Sequence, residues 1–104
     1  MDNSDTNSDF INTDQPKNKF ILFISGMSPK STHAVENINK ICNSFLADNY
    51  ELDIVDISHE PQLAVDYQII GIPTLVRTFP NPTRMILGDL SDTRKVLKIL
   101  DIST

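Results

Sequence analysis

The chain is short of most residues that chemistry requires. It has one cysteine, Cys42, in 104 residues, so it can form neither an internal disulfide nor a Cys-x-x-Cys dithiol. A lone cysteine fits a reducing compartment, and a cytoplasmic location is expected. The three glycines stand singly and far apart, which excludes a glycine-rich phosphate loop. Nine Lys and Arg oppose fourteen Asp and Glu, for a formal charge of -5, so there is no basic footprint for nucleic acid. No apolar run approaches the roughly 20 residues of a membrane helix. No Ser-His-Asp pattern and no nucleophile beside a base stands out. Neither an enzyme, a cofactor, a nucleic-acid partner nor a membrane partner is expected.

Residues 1–17 are polar, with Phe10 and Ile11 the only large apolar side chains besides Met1. Asp2, Asp5, Asp9 and Asp14 oppose Lys17 alone. Such a segment buries too little surface to offset the entropy of ordering, so a disordered tail is expected. It has no cationic start or apolar run of a secretory signal and is too acidic for a mitochondrial transit peptide. Residues 18–104 are expected to form one domain with a modest core.

Within that domain, Phe20-Ile21-Leu22-Phe23-Ile24 is a continuous apolar run suited to a strand covered on both faces. Ser28 followed by Pro29 reads as an N-cap with proline at the first helical position. Val35, Ile38, Cys42, Phe45 and Leu46 then recur at helical spacing, predicting an amphipathic helix over about 29–47. Asp48-Asn49 turns the chain, and Tyr50, Leu52, Ile54 and Ile57 mark a second strand, with Asp53 and Asp56 on or near its polar side. Pro61 opens a short helix whose apolar face is Leu63, Ala64, Tyr67 and Ile70, ended by Gly71. Residues 74–79 read as a third strand. Pro80-Asn81-Pro82-Thr83 must turn, 85–87 is a fourth strand stopped by Gly88-Asp89, and 91–100 closes the chain as a helix. The order is β-α-β-α-β-β-α: a parallel pair joined by a crossover, then an antiparallel hairpin.

Four groups of residues stand out. Cys42, in register with Ile38 and Phe45, reads as a small buried hydrophobe rather than a reactive thiol. His33 and His59 follow the first and second strands. With only Asp56 and Glu60 nearby in sequence they lack ligand spacing for a structural metal, so no metal site is expected. The Pro80-x-Pro82 turn is stiff and holds Arg84 ready for paired contacts. Gly71-Ile72-Pro73-Thr74-Leu75 joins a helix-like stretch to a strand-like one.

That last run resembles the entry to the central hairpin of thioredoxin-like domains, which implies a cis Pro73 packed against the first helix turn. In redox members that turn carries the Cys-x-x-Cys; here it reads Gly26-Met27-Ser28-Pro29-Lys30-Ser31. More specifically, the chain resembles the circadian clock family KaiB. The resemblance rests on 56–64 (Asp-Ile-Ser-His-Glu-Pro-Gln-Leu-Ala), Ile72-Pro73-Thr74-Leu75, Pro80-Asn81-Pro82-Thr83-Arg84 and Gly88-Asp89-Leu90-Ser91, in that order. A Gly26-x-Ser28-Pro29-x-Ser31 turn stands where the family has Gly-x-Thr-Pro-x-Ser. A related sensor-kinase input domain shares the scaffold, but the Pro-x-Pro and Gly-Asp-Leu-Ser segments favour KaiB.

The resemblance implies an α/β, thioredoxin-like domain with a mixed sheet and a non-enzymatic partner of the ring-forming ATPase KaiC. It implies partner contacts at His59, Gln62, Pro80, Pro82 and Arg84, and a structural role for Pro73, Gly88 and Asp89. It also implies a second, resting fold of the C-terminal half in a homo-oligomer, dimer or tetramer. His33 and His59 stand where the family commonly has Arg and Lys, and, with the sequence ending at Thr104, the family's acidic C-terminal tail is not expected. These departures make a clock-derived stress or signalling system an alternative to a true clock. The reading from another class, a thiol-dependent oxidoreductase of the thioredoxin superfamily, is disfavoured by Met27 and Lys30 in the turn.

Overall fold

The computed structural model describes residues 16–103. Of the tail expected over 1–17, only Pro16 and Lys17 fall within that range, and the Lys17 N–H donates to Asn49 Oδ1 at 2.8 Å. The elements are β1 (Lys19–Ile24), α1 (Pro29–Phe45), β2 (Glu51–Asp56), α2 (Pro61–Asp66), β3 (Thr74–Phe79), β4 (Arg84–Leu87) and α3 (Thr93–Ile99). This is the predicted order. The four strands form one sheet in the order β2-β1-β3-β4. β1 and β2 are parallel, and β3 is antiparallel to both β1 and β4. No described helix is long and apolar enough to cross a membrane.

Strand alternation divides the core. Phe20, Leu22, Leu75 and Ile86 pack with Ala34, Ile38, Ile41 and Cys42 of α1 and with Val96 and Leu97 of α3. Phe23, Val55 and Val76 point to the opposite face and pack with Leu63 and Tyr67 from α2 and its end. Full burial of each large apolar side chain stabilises by roughly 1.5–3 kcal/mol. The larger cluster therefore binds α1 and α3 to the sheet, while Leu63 of the six-residue α2 covers the smaller one together with Ile57, Tyr67, Ile69 and Ile72 from the flanking loops.

Ser28 caps α1 as predicted, its Oγ accepting from the Ser31 N–H at 3.3 Å, with Pro29 in the first turn. The helix ends at Phe45 with Leu46 as its C-cap. Phe45, placed on the buried face from its spacing, is 38% exposed, and Ile41 is buried instead. The face of α1 that meets the core is carried by Ile38, Ile41 and Cys42, and just past the helix Leu46 packs against the same cluster. Ile54, read as inward, is exposed because β2 is an edge strand, and Val55 is the residue that β2 buries.

The stop of α2 differs from the expectation. The helix ends at Asp66, and Gln68, at φ 56, takes the left-handed position assigned to Gly71. The Gln68 N–H reaches Val65 O and the Ile69 N–H reaches Ala64 O, which is a Schellman closure on a non-glycine residue. Ile70, read as a buried helix residue, lies beyond that closure and is exposed. Gly71 lies beyond the closure, where a Cβ would come 2.9 Å from Cδ1 of the exposed Leu87. α3 begins at Thr93 rather than Ser91, because the Asp92 carboxylate accepts from the Lys95 N–H at 3.2 Å and caps it. Gly88 and Asp89 accordingly lie in the turn before the helix, not at its start.

Candidate functional site

Because β1 and β2 run one way and β3 the other, one end of the sheet gathers four connections. They are the β1–α1 turn, the β2–α2 loop, the entry to β3 at Pro73 and the exit from β4 at Gly88-Asp89. The Ile72–Pro73 bond is cis, as expected, and Phe79–Pro80 and Asn81–Pro82 are cis as well. Hydrogen bonds tie these connections to one another. Asp56 Oδ2 accepts from the Gly26 N–H at 3.2 Å, and Asp56 Oδ1 accepts from the Ser58 N–H at 2.9 Å and Ser58 Oγ at 2.7 Å. The Gly88 N–H donates to Pro73 O at 2.9 Å. Asn37 of α1 donates to the Asp89 carbonyl at 2.8 Å.

Two carboxylates hold this end by charge as well as shape. The two Ser58 bonds, then the Gly26 N–H and the nearby His59, hold Asp56 below the usual carboxylate range. His59 Nε2 lies 4.0 Å from Asp56 Oδ2. Asp89 is lowered by its bonds from Ser91, then by His33 and Lys30. Among the described residues no group of three His, Cys, Asp or Glu could hold a metal. Beside the turn lies a cavity of about 290 Å³ lined by Ile24, Gly26, Met27, Ser31, Thr32, Val35 and Glu36.

The turn itself carries no thiol. Met27 is 88% exposed in the place a dithiol would occupy. Cys42 lies twelve residues beyond Lys30 on α1, about 18 Å away along the helix axis. It is fully buried, and burial pushes its thiol up to about 11. A thiol is nucleophilic only as thiolate, so its burial and this shift both oppose reactivity.

The candidate contact residues (His59, Gln62, Pro80, Pro82, Arg84) and the candidate structural residues (Pro73, Gly88, Asp89) fall into two groups by position. His59, Gln62, Pro73, Gly88 and Asp89 lie at the connection-rich end, where His59 and Gln62 are exposed and Gln62 Nε2 donates to Asp66 Oδ1 at 2.9 Å. Pro80, Pro82 and Arg84 lie at the opposite end, about 20 Å away by strand length. Arg84 is half-exposed and sits 3.6 Å from Asp101 Oδ2. Sequence reasoning passed over Arg77. It is 3% exposed, its Nη1 donating to Leu100 O at 2.7 Å and its Nη2 to Pro82 O at 2.9 Å. The signal was present in the strand alternation, which puts Arg77 on the same inward face as Leu75.

The comparisons with known proteins agree with this architecture. The KaiB domain matches residues 21–102. Circadian clock protein KaiB3 of Synechocystis sp. is 43% identical over 81 residues, 78% of this chain and 79% of its own length.

The chain belongs to the KaiB family.

Circadian clock oscillator protein KaiB of Cyanothece sp. is 40% identical over 78% of this chain and 77% of its own. Among solved structures, the N-terminal domain of Synechococcus elongatus SasA superposes with TM-score 0.69 at 26% identity, covering 84% of this chain and 85% of that one. Mitochondrial thioredoxin 3 of Saccharomyces cerevisiae gives TM-score 0.68 at 18% identity over 91% and 89% of the two chains, a likeness of fold alone. This KaiB-family chain therefore has the thioredoxin-like form, with Met27 and Lys30 in the turn.

Proposed function

We propose that this KaiB-family protein is a non-enzymatic regulator that docks on a KaiC-like ring ATPase, in a circadian clock or a signalling system derived from one. The observation that carries this reading is a thioredoxin-like frame without reactive thiol chemistry, in a chain that belongs to a clock family. The turn holds Met27 and Lys30, and the one thiol is buried and protonated.

His59 and Gln62 at one end, with Pro80, Pro82 and Arg84 at the other, are the proposed contacts. A standard interface covers roughly 800 Å² per partner, a patch on the order of 30 Å across, so one partner surface can span both ends. His33 and His59 in place of the family's Arg and Lys leave less positive charge for an acidic partner, which weakens steering on approach. At rest, a homo-oligomer with a rearranged half from the β2–α2 loop through Gly88-Asp89 belongs to the same proposal, as two packings of similar free energy.

The test is co-elution and equilibrium binding with the KaiC-like ATPase of the same organism, with and without nucleotide. A complex supports the reading; wild-type chain that binds no such ATPase in either condition removes it. An insulin-reduction assay with a Cys42→Ser control separates the oxidoreductase alternative, which requires thiol-dependent turnover.

A further inference from the structure

Arg77 carries a full positive charge into the core with no carboxylate partner among the described residues. Its planar fork instead ends on two backbone carbonyls from segments far apart in sequence. Nη1 donates to Leu100 O, 23 residues away, and Nη2 to Pro82 O, five residues away. Nε is buried and makes no hydrogen bond. The guanidinium is thus placed by the two carbonyls rather than by satisfying all its donors.

Both acceptors suit the role. Leu100 is the C-cap of α3, where carbonyls lack helical partners and carry the negative end of the dipole. The Asp101 and Ile102 N–H groups close the helix on Lys98 O and Leu97 O, leaving Leu100 O to Arg77. Pro82 lies in a turn in which two of four residues have no N–H to give. Among the described residues, the bond from Arg77 is the hydrogen bond that this turn receives. Arg84, directly opposite Arg77 in the β3–β4 register, makes a second link to the same helix end through Asp101.

We propose that Arg77 is a positioning residue that couples the Pro80–Arg84 turn to the C-terminal end of α3, so that a change at either is felt at the other. Its consequence for partner binding rests on the docking reading above: Arg77 would set how Pro80, Pro82 and Arg84 are presented. A lysine cannot replace it, because one ammonium lacks the rigid spacing that reaches both carbonyls.

The experiment is amide hydrogen exchange by NMR on the full chain for wild type, Arg77→Met and Arg77→Lys. Arg77→Met keeps the side-chain bulk without the charge. The amides of Thr83 and Arg84 and those of Asp101 and Ile102 are expected to lose protection together, by about ten-fold, while β1 and β2 change far less. Arg77→Lys is expected to restore at most one of the two segments. A uniform loss across the molecule, loosening of only one segment, or full rescue by lysine overturns the coupling. Should neither variant fold, Ile102→Ala perturbs the helix end where that side chain packs on the main core: shifts at Thr83 and Arg84 larger than those in β1 and β2 support the coupling, and shifts no larger there overturn it. No partner enters these measurements, so their failure leaves ATPase docking standing, and failure of docking leaves the coupling standing.

Discussion

Gly88 isolates the energetic effect of one backbone angle. It sits at φ 125, and a Cβ built on it meets no heavy atom within 4 Å. Gly88→Ala therefore adds no clash, and its effect is backbone strain alone. A non-glycine residue in so sparse a region costs on the order of 1–3 kcal/mol. Alanine also restricts the unfolded chain, which returns about 0.4–1 kcal/mol. The net destabilisation is about 1–2 kcal/mol, or a fall in Tm of roughly 4–16 °C for a domain of this size. Two controls fix the cause. Gly26→Ala, at φ 57 and also in open space, costs about 1 kcal/mol as an ordinary left-handed residue. Gly71→Ala adds a Cβ 2.9 Å from Leu87 Cδ1, but Leu87 is 60% exposed and free to swing away, so its effect is the smallest. Urea unfolding followed by far-UV circular dichroism ranks the three. Gly88→Ala as stable as wild type, or Gly71→Ala the worst of the three, refutes the reasoning.

Replacing Cys42 with Ser buries a hydroxyl in an apolar site and costs roughly 1–3 kcal/mol; an undiminished melting temperature would show that the thiol is not core packing. Because burial raises this thiol from 9.0 to about 11, its contribution is complete below about pH 9 and is lost as the pH climbs to 11. Thiol labelling at pH 8 should then be slow until urea unfolds the chain, and rapid labelling of the native protein would contradict this. Asp56 and Asp89 are lowered from 3.8, so their contributions hold above that value and disappear as the pH falls through their folded midpoints. Carboxyl-carbon NMR titration should give midpoints under 3.8 for both, and a midpoint at or above it would remove the anchoring role of that residue. Arg84→Ala breaks an exposed pair with Asp101 and should change stability by less than about 1 kcal/mol. Under the docking proposal it should weaken ATPase affinity by roughly 1–3 kcal/mol, and equal affinity would take the turn out of the interface.

Much of the fold was legible because local signals and packing agreed. Ser28-Pro29 starts α1, Phe20 to Ile24 form the central β1, and Pro80 to Thr83 make the hairpin turn. The misplaced boundaries share one cause, which is that tertiary context chose among residues equally suited in isolation. Gln68 closes α2 by bonding to the Val65 and Ala64 carbonyls with its neighbour Ile69, which leaves Gly71 outside the helix stop. Phe45 follows the helical stripe but is left 38% exposed while Ile41 is buried, a choice that periodicity alone does not make. Ile54 and Val55 exchange roles because β2 is the edge strand, a fact set by sheet order and not by its own residues. For the candidate site, the sequence marked single positions but not how the fold would group them. Which loops meet at one end depends on strand direction, and that separates His59 and Gln62 from Arg84 by the length of the sheet. Arg77 escaped notice because charge in a strand reads as surface until its partners, two backbone carbonyls, are seen.

The central claim, that this thioredoxin-like KaiB-family chain works by docking and not by redox chemistry, is tested most directly by one titration. The full chain is added to the KaiC-like ATPase of its own organism in ATP, and the complex is followed by light scattering. Wild type and Cys42→Ser are expected to form the same complex with equal affinity once both are shown to be folded, and Arg84→Ala a weaker one. No complex with wild type, or binding that vanishes in folded Cys42→Ser, would contradict the account.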